Sequence, residues 1–417
     1  MAGSNGHRVA RGGTLVIGGG FGGAYVARLL GKDGATIVSP ESTMLYTPLL
    51  PEVAAGGIEP RHAIVPLRVM CTHADLVRGR AVALDESARR VTVQSEVGPV
   101  EVEYERLVVA LGAVPRMLPI PGLAEHSIGF KSIGDAIRLR NHILHRLELA
   151  DADPDNAERY LTFVFVGAGY AGVEALAELT QLVRDAARHY PRLHFLPQRW
   201  LLVDAGPKIL AEVPARLADY TDHQLRKRGV DIRLETRLEL LEPGVVSLSD
   251  GTRLETETVV WTAGVTPNPV LHELGLPLDE RGRVVVDSSL RVEGRDNVWA
   301  LGDCARVPNA ATPEQPDPPT CQHALRQSRR LVKSLRGRSA NYRYRSLGQG
   351  ATLGRDKGIA SVLGVIQVKG VLGSLITRAY HLHQVPLFSR RLRVLTDGLL
   401  AGVFKRDIAE MGVAELR

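Results

Sequence analysis

The sequence predicts an α/β chain of two like-built units, the second inserted into the first, with a C-terminal α+β region after them. Three observations carry that expectation. An apolar run enters a glycine loop and then a helix at residues 14–25 (Thr-Leu-Val-Ile-Gly-Gly-Gly-Phe-Gly-Gly-Ala-Tyr), and the pattern returns at residues 161–174 (Leu-Thr-Phe-Val-Phe-Val-Gly-Ala-Gly-Tyr-Ala-Gly-Val-Glu). Each loop is followed later by a buried strand that ends in small residues, at 104–115 and again at 258–269. The length of 417 residues exceeds one ordinary core, and 44% hydrophobic with 24% charged residues is the composition of a soluble globular protein. Together these describe two Rossmann-like dinucleotide-binding domains: residues 1–125 with 280–335, and the inserted 155–275, followed by a C-terminal domain at 340–417.

In the first unit Gly18, Gly20 and Gly23 fit G-x-G-x-x-G, with Phe21 and Gly22 inside the loop. The first glycine makes the tight turn, the second lets the backbone approach a pyrophosphate, and the third allows close strand–helix packing at the positive end of a helix. An acid is expected about 20 residues on, at the end of the next strand, to hold a ribose hydroxyl. That position is Ser39, with Glu41 two residues later, so either Ser39 makes a weaker contact or Glu41 reaches back. Residues 46–61, dense in proline and including Thr47, read as an ordered loop that sets backbone and small side chains near a ligand. Strands follow at 74–84, 90–93 and 104–111; Ala110 and Gly112 at the end of the last let a cofactor lie against the backbone, and a plain turn explains Gly112 almost as well.

Residues 135–149 have helical periodicity and lead into a polar break at 151–159 that reads as a hinge. The second loop places Gly167, Gly169, Tyr170 and Gly172 in the same pattern, and its next strand, 200–203, ends on Asp204. A carboxylate there accepts hydrogen bonds from an adenosine ribose and repels a 2′-phosphate, so NAD is preferred over NADP. A helix at 216–228, a small sheet at 231–248 and the strand ending near Gly264 complete the insertion. The chain then returns through 284–287 and 297–303.

The net charge of +6 is unevenly spread: from Cys321 onward 18 Lys and Arg face 5 Asp and Glu, leaving the rest of the chain net acidic. A basic tail meets an anionic surface or is a solvated face. Nothing has a nucleic-acid-binding signature, so an anionic membrane surface is the expected partner and nucleic acid is not. Cys71, Cys304 and Cys321 are too far apart for a C-x-x-C or zinc pattern, which suits a reducing compartment. Residues 1–13 lack an apolar signal core, and a cytoplasmic location is expected. In the tail, 308–319 is a proline-rich loop and 324–335 a helix; 358–376 reads as strands plus a short helix rather than a membrane span. On a helix over 399–411, Leu399, Leu400, Val403, Phe404, Ile408 and Met411 share one face with Lys405, Arg406 and Glu410 opposite. Such a helix lies in a membrane interface, or packs on its own core or on a second copy of the chain as a homodimer. His381 and His383 are expected at the surface and not as metal ligands.

By Gly302-Asp303 the motif order resembles that of the two-dinucleotide flavoprotein reductases: flavin loop, inserted nicotinamide domain, late Gly-Asp. Within that superfamily the chain most resembles type II NADH dehydrogenase, the single-subunit, non-pumping NADH:quinone oxidoreductase, over residues 14–399. Its sharper marks are residues 48–56 (Pro-Leu-Leu-Pro-Glu-Val-Ala-Ala-Gly), Pro66-Leu-Arg68, residues 167–174, and residues 320–327 (Thr-Cys-Gln-His-Ala-Leu-Arg-Gln). The last is similar to the family's A-Q-x-A-x-Q element: Gln322 and Ala324 match, Cys321 stands for the alanine, and Arg326 for the final glutamine with Gln327 next. The resemblance implies FAD on the first loop with Asp303 at the ribityl chain, NADH on the second, and Gln322 and Gln327 beside flavin and quinone. It also implies Glu174 as the link between nicotinamide and quinone sites or as proton donor, although a glutamate in a first helical turn also suits the dipole. Hydride would pass from NADH to FAD and two electrons to a membrane quinone, on the inner face of the cell membrane. Disulfide reductases and sulfide:quinone oxidoreductases are disfavoured, since no cysteine pair follows the first loop and residues 161–270 hold no cysteine. A soluble reductase of a ferredoxin-like protein and a slow redox regulator are the alternatives.

Overall fold

A computed structural model describes residues 7–338 and 341–412. The chain divides into two compact units, residues 7–45, 64–114 and 265–346 in one, and 46–63, 115–264 and 347–412 in the other. The second unit therefore includes the proline-dense segment and the C-terminal segment along with the inserted domain.

The first unit is built on a five-stranded parallel sheet in the order Val298–Ala300, Arg106–Val109, Thr14–Ile17, Ala35–Ser39, Ala74–Arg78. Thr14–Ile17 and Ala35–Ser39 are buried at every position, as central strands of a parallel sheet covered on both faces must be. Register is fixed by the pairs Leu15↔Thr36, Leu107↔Leu15 and Leu107↔Val298. Helix Phe21–Leu29 packs on helix Cys321–Leu335, and the Ser328 hydroxyl donates to the Gly22 carbonyl at 2.9 Å. The latter helix starts three residues earlier than its periodicity indicates, because Thr320 accepts from the His323 N–H and caps it. A four-stranded sheet, ordered His7–Val9, Gly98–Glu103, Arg90–Ser95, Arg80–Asp85, completes the unit. The expected single stretch over 74–84 is broken at Gly79 into two strands of different sheets, and a Cβ on Gly79 would strike the Gln94 carbonyl oxygen.

The second unit repeats the plan, with parallel strands Ile128–Gly129, Thr258–Trp261, Thr162–Val166, Arg199–Val203 and Val230–Arg233. Phe163 stacks on Trp200 at 4.4 Å between ring centres. Val164, Leu201 and Trp261 form one core with Leu241 and Val246 of the antiparallel sheet over 238–255. The proline-dense segment is not an irregular loop: it folds into helical turns Thr47–Leu49, Leu50–Ala54 and Pro60–Ala63. Pro48 and Pro51 sit in first turns, where the missing N–H has no bond to lose. The tail forms antiparallel strands Gly348–Thr352, Gly358–Val362 and Ile366–Lys369, then helices Val371–Gln384 and Phe388–Val403.

The last helix departs from the expectation over 399–411. It ends at Val403, so Ile408 and Met411 lie beyond it. Arg406, expected on a solvated face, is 6% exposed and bound to the buried Glu178 carboxylate; satisfying that charge outweighs another helical turn. The Met411 backbone is held by the Asn141 amide at 2.7 and 3.1 Å. His381 also departs: it is half-buried, edge-on to Tyr46 at 6.2 Å, and burial pushes its imidazole down to about 4.

Candidate functional site

Each unit presents a glycine loop at the start of a helix, with matching geometry. Gly18 and Gly167 have φ of 113° and 112°, and a Cβ on either would strike backbone, of Ala110 or of Thr262 and Ala263. A Cβ on Gly23 or Gly172 would collide with the carbonyl oxygen of Gly18 or Gly167, so these positions close the strand–helix contact. Gly20 and Gly169 differ: among the described residues nothing lies within 4 Å of a Cβ there. Neither helix has a side-chain cap, whereas Ser132 and Thr320 cap their helices. Uncapped N–H groups facing open space at a helix N-terminus form a cradle for a pyrophosphate, and the two loops fit the phosphates of FAD and NADH.

In the first unit, Ser39 is 3% exposed and its hydroxyl fills the space beside Gly19, while Glu41 stands exposed on the following bend. Gly112, with φ of 66°, again leaves open space, and its carbonyl accepts from Asn268 at 3.2 Å. Buried Ala110 lies against Gly22. Asp303 is half-buried in the turn Gly302–Cys304. Gln327 is 2% exposed and braces that turn: its Oε1 accepts from the Gly302 N–H at 2.8 Å and its Nε2 donates to Asp317 at 2.8 Å. Gln322 lies one and a half turns earlier and accepts from the hydroxyls of Tyr344 at 2.5 Å and Ser346 at 3.1 Å. The Arg326 guanidinium stacks over the Tyr344 ring at 5.3 Å. Gln327 is thus a support for the Gly-Asp turn, a role its sequence position alone does not reveal.

The three thiols are unpaired, and burial pushes each up to about 11. Thiols held this far above neutrality are poor nucleophiles. A dithiol exchange site is therefore not built from them.

In the second unit, Asp204 follows strand Arg199–Val203 and fixes the loop from the side: Oδ2 accepts from the Ala168 N–H at 2.6 Å and Oδ1 from the Gly206 N–H at 2.7 Å. Each oxygen retains acceptor capacity for a ribose hydroxyl. Among the described residues the buried Tyr170 hydroxyl has no hydrogen-bond partner, and none lies beside Gly264, which has a φ of 92°. Thr47 is half-buried in its own turn.

Helix Tyr170–Ala186 also carries Glu174 and Glu178 one turn apart on one face. They enter a buried cluster that sequence reasoning did not assemble. Glu178, fully buried, pairs with Arg406 and with Arg378 at 3.2 Å; Arg378 reaches Glu52 at 3.3 Å. Glu174 accepts from the Thr352 N–H at 2.7 Å and hydroxyl at 3.2 Å. Burial, reinforced by the charge of Glu52, raises its carboxyl to about 8. Burial likewise raises Glu52, against the pull of Arg378. A Cβ on Gly56 or Gly57 would strike the guanidinium of Arg140 or Arg406, which is why the segment after Glu52 ends in glycines. The signals were present in the Pro-Leu-Leu-Pro-Glu segment and in the Glu174/Glu178 spacing; Arg378 and Arg406 gave none.

The model of the pyridine nucleotide-disulphide oxidoreductase family matches residues 13–328. A type II NADH:quinone oxidoreductase of Mycobacterium tuberculosis is 30% identical, over 93% of this chain and 86% of the relative. A demethylphylloquinone reductase of Synechocystis is 28% identical, over 92% and 95%. The solved structure of NDH2 from Plasmodium falciparum in complex with NADH shares the fold with a TM-score of 0.88 at 16% identity, covering 95% of this chain and 99% of that one. The chain belongs to the pyridine nucleotide-disulphide oxidoreductase family and, within it, to the type II NADH:quinone oxidoreductases.

Proposed function

We propose that the first unit holds FAD on the Gly18–Gly20–Gly23 loop and the Gly302-Asp303 turn, and that the second holds NADH on the Gly167–Gly169–Gly172 loop beside Asp204. FAD then supplies the redox step, accepting hydride from NADH and returning two electrons to a quinone. The protein contributes binding, orientation and a proton. Hydride brings two electrons and one proton equivalent, so reducing a quinone to its quinol takes one further proton. The observation that carries the assignment of that proton is Glu174: buried, raised to about 8, and held by Thr352 at its carboxylate. A carboxyl that keeps its proton at neutral pH is matched to delivering it. Arg378 and Arg406 pair with the Glu178 carboxylate one turn further along the same helix.

The second unit also offers the surface on which such an enzyme meets its acceptor. Phe388, Leu392, Leu395, Leu399 and Val403 follow one stripe of the last helix and are 43–79% exposed, and Val371, Leu372 and Leu375 extend the apolar area on the preceding helix. Arg390, Arg391, Arg393 and Lys369 accompany them. Among the described residues no helix is long and apolar enough to cross a membrane. An apolar stripe with flanking cations is the pattern of a helix lying in an anionic membrane interface, where quinones dissolve. The deciding experiment is NADH oxidation by the FAD-loaded protein with a soluble quinone, against a ferredoxin. Rapid quinone-dependent turnover is expected; bound FAD without it overturns the reading. Sedimentation with anionic liposomes tests the surface, and a stable dimer that leaves no lipid binding would assign the stripe to a second copy instead.

A further inference from the structure

The C-terminal half of helix Tyr170–Ala186, the end of helix Ala215–Lys227, and the turn joining strands Gly348–Thr352 and Gly358–Val362 line an open cavity of about 300 Å³. Its lining brings together Arg184, Lys227, Arg228 and Lys357 against a single carboxylate, Asp356. Among the described residues none of these four cations has an ion pair within 4.0 Å. The neighbouring helical carboxylates Asp185 and Asp222 are occupied by Arg188 at 3.8 Å and Arg226 at 2.9 Å. The cavity is separate from the nicotinamide loop: Arg184 lies fifteen residues past Gly169, about 20 Å along the helix.

A surplus of charge at helix C-termini has an ordinary explanation in the helix dipole. Here it covers Arg184, Lys227 and the C-cap residue Arg228, but not Lys357. Arg228 and Lys357 are also anchored from behind, with the rest of their donors left over. Arg228 Nη2 donates to the Leu353 carbonyl at 2.6 Å, and Lys357 Nζ donates to Gln224 Oε1 at 2.8 Å. A guanidinium has five donors and an ammonium three, so most remain available. The turn that carries Lys357 is itself fixed: Gln181 Oε1 accepts from the Arg355 N–H at 2.6 Å, and Gly354, with φ of 84°, has no room for a side chain beside Gln181 and Arg228. Two pre-positioned cations and two solvent-facing ones around one concavity suit a ligand with several negative oxygens, because Arg228 and Lys357 have little ordering left to lose on binding.

We propose that this cavity binds a phosphate group bearing two or more negative charges, as in pyrophosphate or a phosphomonoester. A chloride-sized anion would meet only part of the donor set, and a monoanionic phosphodiester would leave cations uncompensated. The binding is electrostatic and falls with ionic strength. The solvent-facing pair Arg184 and Lys227 supplies about half of the charge and is remote from Glu174 and from both glycine loops.

The test is calorimetric titration of the FAD-loaded full chain, saturated with NAD⁺, with inorganic pyrophosphate at low salt and with potassium chloride of matched ionic strength. Saturable pyrophosphate binding is expected. In R184A/K227A affinity should fall by at least about tenfold, while R184K/K227R retains it. Co-sedimentation with phosphatidylcholine vesicles, with and without phosphatidic acid, separates the sources. Vesicle binding that needs phosphatidic acid and is lost in R184A/K227A assigns the site to a lipid headgroup. Pyrophosphate binding with vesicles indifferent to that variant assigns it to a soluble anion. Absence of saturable binding in both arms, binding that R184A/K227A leaves unchanged, or an equal response to chloride overturns the proposal.

Discussion

Replacing Glu174 by glutamine separates the proton of that side chain from its shape. The amide oxygen can still accept from the Thr352 N–H and hydroxyl, which now hold Oε1 at 2.7 and 3.2 Å. What is lost is a carboxyl raised from 4.5 to about 8. Above the ordinary value the unfolded chain releases this proton while the folded chain keeps it, so the folded state binds more protons and its stability falls as pH rises. The slope is about 1.4 kcal/mol per pH unit and ends near the folded value, giving a penalty of at most about 3.5 kcal/mol at neutral pH. Glu174→Gln removes the whole contribution. Denaturant unfolding between about pH 5 and about pH 9 should therefore show E174Q gaining on the wild type as pH rises, with the difference levelling above about pH 8. The same proton sets the kinetics: wild-type quinone reduction should lose rate on an alkaline limb near 8, and E174Q should turn over about 10² or more slower without that limb. NADH reduction of the bound flavin, measured alone by stopped flow, should change little. Parallel stability curves, or an unchanged alkaline limb in E174Q, would refute the assignment of the proton to this residue.

The remaining expectations address the other parts of the site. Glu178→Gln leaves Arg378 and Arg406 in a buried setting with one fewer carboxylate, and should lower stability by about 3 kcal/mol in denaturant titration. Gly172→Ala places a methyl against the Gly167 carbonyl and should weaken NADH in calorimetric titration while the flavin spectrum persists; Gly23→Ala should do the reverse, yielding protein poor in FAD. Asp204→Ala should raise the KM for NADH and narrow the preference over NADPH, and an unchanged preference would show that the ribose is held elsewhere. Leu395→Glu with Leu399→Glu should abolish liposome sedimentation without changing turnover on a soluble quinone.

The parts of this molecule that could be read from the sequence are those where a single residue type answers a single steric demand. The two glycine loops are of that kind. At Gly18 and Gly167 a positive φ coincides with neighbouring backbone, and at Gly23 and Gly172 the strand–helix contact excludes any Cβ, so the constraint is local. The buried strands are nearly as direct, because burial on both faces leaves a continuous apolar run. The charge cluster around Glu174 is different in kind. Its members come from residues 52, 140, 174, 178, 378 and 406, and no periodicity or spacing connects segments so distant. An arginine at position 406 reads as solvated until it is known that Glu178 is fully buried and shares its other cation, Arg378, with Glu52. That shortage of positive charge also accounts for the end of the last helix. Helical periodicity over 399–411 treats Arg406 as a polar-face residue, whereas two buried carboxylates sharing one guanidinium cost more than the few backbone bonds of one extra turn, and so the helix stops at Val403 and lets the arginine turn inward. Local pattern therefore decides an element until a buried charge elsewhere in the chain needs one of its residues, and the exception then marks the place where that charge is held.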